Sequence, residues 1–366
     1  KRAGEGWVLT ARGRRDTIRW TYTPRTGSLS DLQVELDGRA FRPCDGGGPV
    51  FSLGGAELRP GDPKLKTTLT AIRAEGGDSL VAEWLAEAGG EKVAYRYRLR
   101  AVGKSLQVTA RVEGTAATAF VIGHTAQTPG AELVRVPYLT LGGIGPHVVH
   151  WDGIFLSALL DWYNSDASQL FDRHGRSARD QVVYNGGSRY LPKTDGARNP
   201  LRERLILTVA TDFHEVLPTI PHPRNPMAHL ATGAIWRNIG SPNQDLLKRL
   251  KAHGVARFIC PLHEVGWRDA GESFTFRLRC APRIGDEKMI EYGKWVHSLG
   301  YRFGLYANYT DYAPVNGHWR EERVCLDSDG NWRGAWPRCY APKPTWAWQA
   351  EADLAPKIAA KFGATT

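Results

Sequence analysis

The sequence predicts a two-part chain: an antiparallel β-sandwich, then the first units of a (β/α)8 TIM barrel that the chain leaves incomplete. Three observations predict it. From Gly6 to about Pro218, short runs alternate apolar with polar residues and end on Gly, Pro or Asp, as half-buried strands do. From Ala231 onward, helical periodicities alternate with short apolar runs, the grammar of βα units and a parallel sheet. Between them the stretch PTIPHPRNP, residues 218–226, carries four prolines. Neither a central strand nor a helix interior accepts that density, so the boundary falls between residues 1–220 and 221–366.

In the first part, Ile18, Trp20 and Tyr22 alternate with polar neighbours, and Leu32, Val34 and Leu36 do the same before ending on Asp37-Gly38. The clearest pair sets Val93, Tyr95, Tyr97 and Leu99 against Leu106, Val108, Ala110 and Val112 around a turn at Gly103. Many such strands without a convincing helix between them indicate a sandwich of about 200 residues. In the second part, Ser241-Pro242-Asn243-Gln244 reads as a capping box with proline at the first helical position, followed by Leu246, Leu247 and Leu250 and stopped by Gly254. The strand VARFICPL follows. Asp286 and Glu287 open the next helix, whose apolar face is Met289, Ile290, Gly293, Val296 and Leu299, with Gly300 as its stop. After the strand YRFGLYANY and a long irregular stretch, Thr345 is expected to cap a helix bearing Ala350, Leu354, Ile358 and Phe362, kinked at Pro356 and closed by Gly363. The 136 residues from Ala231 are about half of the roughly 250 a closed barrel uses, and only two barrel strands are legible among them. A small doubly wound domain is the alternative; no GxGxxG turn or P-loop supports it.

Composition narrows the function classes. The chain has 366 residues, 42% hydrophobic and 23% charged, which suits two globular domains. Its longest apolar stretch, near Ile154–Leu160, is far shorter than a membrane span. The net charge of +10 is spread along the chain and interleaved with acids, as at Arg202-Glu203-Arg204, so no basic stripe for nucleic acid forms. The five cysteines, Cys44, Cys260, Cys280, Cys325 and Cys339, show no CxxC spacing, and their odd number leaves at least one thiol free or paired between molecules. The start KRAGEGW has no hydrophobic signal region, compatible with a cytoplasmic protein or with an export signal already removed.

In a barrel the chemistry sits where strands exit at their C-terminal ends. The first exit carries HEVGW, with His263, Glu264 and Trp267; the second carries ANYTDYAP, with Asn308 and Asp311; AWPRCYAPK contributes Trp336, Arg338, Tyr340 and Lys343. Eight of the thirteen tryptophans fall in this part, and aromatic faces beside carboxylates and amides make the mixed surface a sugar needs. Trp295, on a helix, is expected to be core, whereas Trp267 and Trp336 can line a site. Glu264 can serve as a general acid, a hydroxyl-binding carboxylate or the partner of Arg268; binding is the first choice. Asp311 can bridge sugar hydroxyls or be a solvated loop acid. His263-Glu264 lacks the second histidine of HExxH, and Asp327-Ser328-Asp329-Gly330-Asn331 lacks EF-hand spacing and reads as a hairpin turn, so neither metal nor cofactor is expected. No GxSxG elbow occurs, and Gly143-Ile144-Gly145 is a loop signal only.

The stretches GLYANYTDYAPVN, GAIWRN and AWPRCYAPK, with VPYLTLGG in the first part, resemble the endo-α-N-acetylgalactosaminidase family and its bacterial relatives. The resemblance implies a galactose-mutarotase-like sandwich joined to a glycosidase barrel, and a retaining glycoside hydrolase acting on α-linked galactose-type or N-acetylgalactosamine-type glycans. It implies that Arg237, Asn238, His263 and Glu264 form the first wall of the pocket and that Asp311 binds substrate. It also implies a catalytic carboxylate pair on later strands, beyond Thr366, so that the missing C-terminal part of the barrel is a partner of this chain and the carbohydrate another. Such a substrate favours a secreted or periplasmic location, with the cytoplasm left open. YANYTDY stands where the family has a histidine-containing strand end, which leaves the sugar preference open. Two other readings remain: a non-catalytic carbohydrate-binding protein on the same scaffold, and a sugar mutarotase using His124, His147 or His150 on the sandwich.

Overall fold

The computed structural model describes residues 2–136, 147–193, 195–217, 225–264, 267, 277–327 and 329–365. Most of VPYLTLGG with Gly143-Ile144-Gly145, most of the proline-rich junction, Arg268 and Ser328 lie outside the described residues. The chain divides into two compact units, Lys1–Pro221 and His222–Thr366.

The first unit is an antiparallel sandwich built from two eight-stranded sheets and a five-stranded one. One eight-stranded sheet runs from Arg2–Ala3 through Thr17–Tyr22 and Arg39–Asp45 to Gly175–Ala178; the other runs from Glu132–Arg135 through His147–Trp151, Arg202–Ala210 and Glu91–Val102 to Lys66–Glu75. The alternation read from sequence is the alternation observed. Ile18, Trp20, Tyr22, Leu32 and Val34 are fully buried, and Tyr95↔Val112, Tyr97↔Ala110 and Leu99↔Val108 face each other across the hairpin that turns at Gly103. Because side chains alternate faces, one register step would expose this whole set, so burial itself fixes the pairing.

Several buried polar side chains of the sandwich are tied to one another or to the backbone. The Tyr95 and Tyr97 hydroxyls donate to the Gly27 carbonyl at 2.9 and 3.1 Å, and the Trp84 indole N–H donates to the Tyr22 hydroxyl at 3.2 Å. Gly27 must be glycine: its φ is +75°, and a Cβ would run into the Tyr95 hydroxyl. Glu203 is wholly buried, its Oε1 accepting from the hydroxyls of Ser165, Ser188 and Tyr190 at 2.7–2.9 Å.

The second unit holds a three-stranded parallel sheet, β1 (Ile235–Trp236), β2 (Phe258–Leu262) and β3 (Arg302–Leu305), in that order. Two strands were expected; β1 is the addition, and β2 and β3 are shorter than VARFICPL and YRFGLYANY suggest. The crossovers carry α1 (Gln244–Ala252) and α2 (Asp286–Ser298), and α3 (Pro344–Phe362) follows β3. The expected capping box at Ser241 is not the observed start of α1. Asn243 is the N-cap, its side chain accepting from the Leu246 N–H, so Pro242 precedes the helix. Lys343, not Thr345, is the N-cap of α3, because Pro344 takes the first helical position, where its missing N–H costs nothing. Met289, Gly293 and Val296 face the core as their spacing requires, against Phe303 and Phe362, while Trp295 is partly buried beside them. All five cysteines are free, and among the described residues no helix is long and apolar enough to cross a membrane.

Candidate functional site

Parallel pairing continues past the ends of the strands and aligns their exits. The Arg237 N–H donates to the Ile259 carbonyl, Ile239 to Pro261, His263 to Ile239, and Tyr306 to Leu262, all at 2.9–3.2 Å. Arg237 and Asn238 therefore leave β1, His263 and Glu264 leave β2, and Tyr306 through Asp311 leave β3, all at the C-terminal edge of one sheet. Arg237 and Asn238 are exposed, His263 is half-buried, and Glu264 is buried.

Side chains lock neighbouring exits together. The His263 ring stacks on the Tyr306 ring with centroids 5.3 Å apart and planes 12° from parallel, and Tyr306 remains 41% exposed. Tyr306 was not singled out from sequence; its signal was its place as the first residue after a buried apolar strand, directly before the Asn308–Asp311 loop. In that loop the Asn308 amide donates to Asp311 Oδ2 at 2.6 Å while its Oδ1 accepts from the Thr310 N–H and hydroxyl. Asp311 is thus a buried carboxylate oriented by an amide that is itself oriented, not a solvated loop acid.

Trp267 corrects the expectation that it lines a site. Its ring is 1% exposed, packs edge-on against Phe362, and donates its indole N–H to the Tyr306 carbonyl at 2.9 Å. It is a core tryptophan that ties the β2 exit to the β3 exit and presents no open face to a sugar.

The AWPRCYAPK stretch is anchored to the same loop through Tyr312, whose N–H and carbonyl pair with those of Tyr340. Tyr340 is partly buried, packed edge-on to Trp332 at 5.1 Å and tilted against Trp319, so it supports the loop more than it presents a surface. Trp336 and Arg338 occupy a tight turn closed by the Cys339 N–H on the Trp336 carbonyl. Trp336 is 63% exposed, and Arg338, with φ +67°, is exposed too. Lys343 is exposed at the start of α3. The Asp327–Asn331 stretch forms a turn whose carboxylate accepts from the Asp329 and Asn331 N–H groups, which uses it as a loop cap. Burial pushes the thiols of Cys44 and Cys280 up to about 12 and that of Cys260 to about 11, so none of the three is a thiolate nucleophile at neutral pH.

No protein-family model and no curated protein matches the chain. Solved structures do. An α-N-acetylgalactosaminidase from Bifidobacterium bifidum, in complex with GalNAc, superposes with a TM-score of 0.62 at 13% identity, over 97% of this chain and 68% of that one. The ligand-free form of that enzyme gives 0.60 at 14% identity, over 97% and 68%. The chain shares its fold with about two thirds of that enzyme. A GH36 α-galactosidase from Geobacillus stearothermophilus gives a TM-score of 0.48 at 10% identity, over 98% of this chain and 65% of that one. At these identities the likeness is one of fold.

Mutarotation asks for a histidine and a glutamate that converge, with His124, His147 and His150 as the candidates. His124 belongs to one eight-stranded sheet, where its Nε2 lies 3.3 Å from Asp45, and His147 and His150 belong to the other. His150 packs on Phe155, with Glu132 opposite it across the strand pair.

Proposed function

We propose that the chain is the sandwich and first pocket wall of a glycoside hydrolase acting on α-linked galactose-type or N-acetylgalactosamine-type glycans. The single observation that carries this reading is the alignment of three strand exits, which brings a stacked His263–Tyr306 pair and the Asn308-oriented carboxylate of Asp311 to the same edge of one sheet. That is the mixed apolar and hydrogen-bonding surface a sugar ring requires, and the fold likeness to an α-N-acetylgalactosaminidase supports the substrate class. In this reading Asp311 and Glu264 take sugar hydroxyls, His263 with Tyr306 offers a ring face, and Arg237, Asn238, Trp336, Arg338 and Lys343 frame the rim. A retaining mechanism needs a nucleophilic carboxylate and an acid/base carboxylate about 5 Å apart across the glycosidic bond. Neither role is assigned to Asp311, whose tight amide hydrogen bond suits a fixed binding group. Glycan substrates of this size favour a secreted or periplasmic setting.

The test is calorimetric titration of the chain with galactose and with N-acetylgalactosamine, beside Asp311→Asn and the exposed Trp336→Ala. Binding to the wild type that weakens in both variants is expected. No binding of either sugar, or binding indifferent to both substitutions, overturns the reading. Aryl α-galactosides and aryl α-N-acetylgalactosaminides, assayed on the full gene product and followed with the anomeric configuration of the product, separate a hydrolase from a protein that only binds.

A further inference from the structure

The sandwich unit holds a cluster that the proposed glycosidase chemistry does not use. His147, Asp172 and His174 come together at one point on its surface, their ligand-capable atoms all within 4.8 Å of one another. From the geometry we infer that these three side chains form a binding site for a divalent first-row transition ion of the zinc type.

The donor set comes first. Two imidazoles and one carboxylate suit zinc and its neighbours, whereas magnesium and calcium take all-oxygen sites. Three protein ligands leave a fourth position to water, as in open tetrahedral zinc sites.

Spacing comes second. His174 Nδ1 and Asp172 Oδ2 are 3.0 Å apart, and metal–ligand bonds of about 2.0–2.1 Å at tetrahedral angles set ligand atoms roughly 3.3 Å apart. Two of the three donors therefore already stand at the separation a shared ion imposes. The His147 ring lies against the His174 ring, with centroids 4.1 Å apart and planes 24° from parallel. His147 is nearly buried and His174 is 39% exposed, so a modest rotation of the exposed ring turns both lone pairs toward one point. The proton that bridges His174 and Asp172 leaves when the ion arrives.

The support behind the ligands comes third. The Asn185 side chain holds the His147 main chain from both directions: its Oδ1 accepts the His147 backbone N–H at 2.9 Å, and its Nδ2 donates to the His147 carbonyl at 3.3 Å and to the Ala158 carbonyl at 2.8 Å. Asn185 holds φ at +58° to do so, a backbone state asparagine tolerates better than most residues. The backbone beneath the most buried ligand is thereby fixed in place.

The location gives the ion a job. His147 begins a strand of one eight-stranded sheet, and Asp172 and His174 lie in the link between a strand of the five-stranded sheet, Gln169–Phe171, and the edge strand of the other eight-stranded sheet, Gly175–Ala178. An ion here staples three sheets at one point and stabilises the sandwich by its binding free energy.

The experiment is thermal unfolding and calorimetric titration of the whole chain with Zn2+ and separately with Mg2+, for the wild type, His174→Ala and Asp172→Asn. Expected are one zinc per chain and a melting temperature that rises with zinc and not with magnesium, both effects weakened at least about tenfold in affinity in each variant. Neither variant removes a core group, so each melts like the metal-free wild type. Absence of stoichiometric zinc binding in the wild type overturns the proposal. So does zinc binding that survives in both variants, which would put the ion elsewhere, for example at a cysteine, and so does an equal response to magnesium.

Discussion

Gly293→Ala tests how closely α2 lies on β3, and through β3 the placement of the candidate site. A Cβ at Gly293 would sit 2.9 Å from Phe303 Cδ1 and 2.9 Å from the Phe362 carbonyl oxygen, about half an ångström inside ordinary contact. Neither neighbour yields easily. Phe303 is fully buried and wedged edge-on against Tyr292, its own carbonyl accepts the Thr365 N–H, and the Phe362 oxygen is backbone. Overpacking of this kind costs about 1–3 kcal/mol. Alanine gains about 1 kcal/mol over glycine in a helix interior, so the two effects oppose and the packing decides the sign. The expected net change is a loss of up to about 2 kcal/mol, a drop of up to several degrees in melting temperature. Guanidinium unfolding followed by tryptophan fluorescence measures it, and sugar affinity read on the same samples reports whether the Tyr306–Asp311 exit has shifted with β3. A variant more stable than the wild type by the full propensity gain of about 1 kcal/mol would show that helix and strand are not in this contact.

Three further outcomes are expected. Burial raises the Glu203 carboxyl above its usual range, an effect its three hydroxyl donors only partly offset. The stability this group contributes is full below the unfolded carboxylate range and is lost as pH rises through its folded value, so Glu203→Gln should gain on the wild type in melting temperature between pH 4 and pH 8; Glu203→Ala, which removes the acceptor shared by three hydroxyls and leaves a gap, should lose about 2–4 kcal/mol. For Asp286, burial raises the carboxyl, but hydrogen bonds from Lys361 at 2.5 Å and the Cys280 N–H at 2.7 Å outweigh it and hold it below its usual range. Its contribution is present above the unfolded value and lost as pH falls through the folded one, so Lys361→Met should flatten the acid limb of the stability profile, read by melting below pH 4. Trp267→Phe removes the indole N–H from the Tyr306 carbonyl and leaves a gap beside Phe362; a loss of about 1–3 kcal/mol is expected by denaturant titration, with sugar binding affected only through the β3 exit.

The sandwich was legible because its signal is redundant. Trp20, Tyr22, Val34, Tyr97 and Leu99 each repeat one statement about which face is inside, and a period of two leaves no second solution once several strands agree. The strand β1 was not legible for the opposite reason. Ile235 and Trp236 are only two residues, both more than half exposed or nearly so, and their strand character comes wholly from carbonyls of β2 more than twenty residues away. The start of α3 was misread for a local reason: Thr345 is a good cap by type, but Pro344 already fixes a helical φ one residue earlier, and a fixed dihedral outranks a side-chain preference.

The candidate site divides along the same line. That His263, Glu264, Asn308 and Asp311 leave one sheet edge follows from parallel strands alone, since every strand of a parallel sheet exits at the same end, and this needs only the order of elements along the chain. Which of these side chains turns inward follows from partners that sequence does not name. Trp267 and Trp336 are the same residue type in loops of similar composition, yet the carbonyl of Tyr306 draws one into the core while the tight turn at Arg338 leaves the other in solvent. The His147, Asp172 and His174 cluster carries this further. His147 stands at no motif spacing from Asp172 and His174, because its distance from that pair is set by the way the sheets meet and not by the turn of one helix or the pleat of one strand. Chemistry written within one element can be read before the fold is known; chemistry assembled between elements becomes readable only after it.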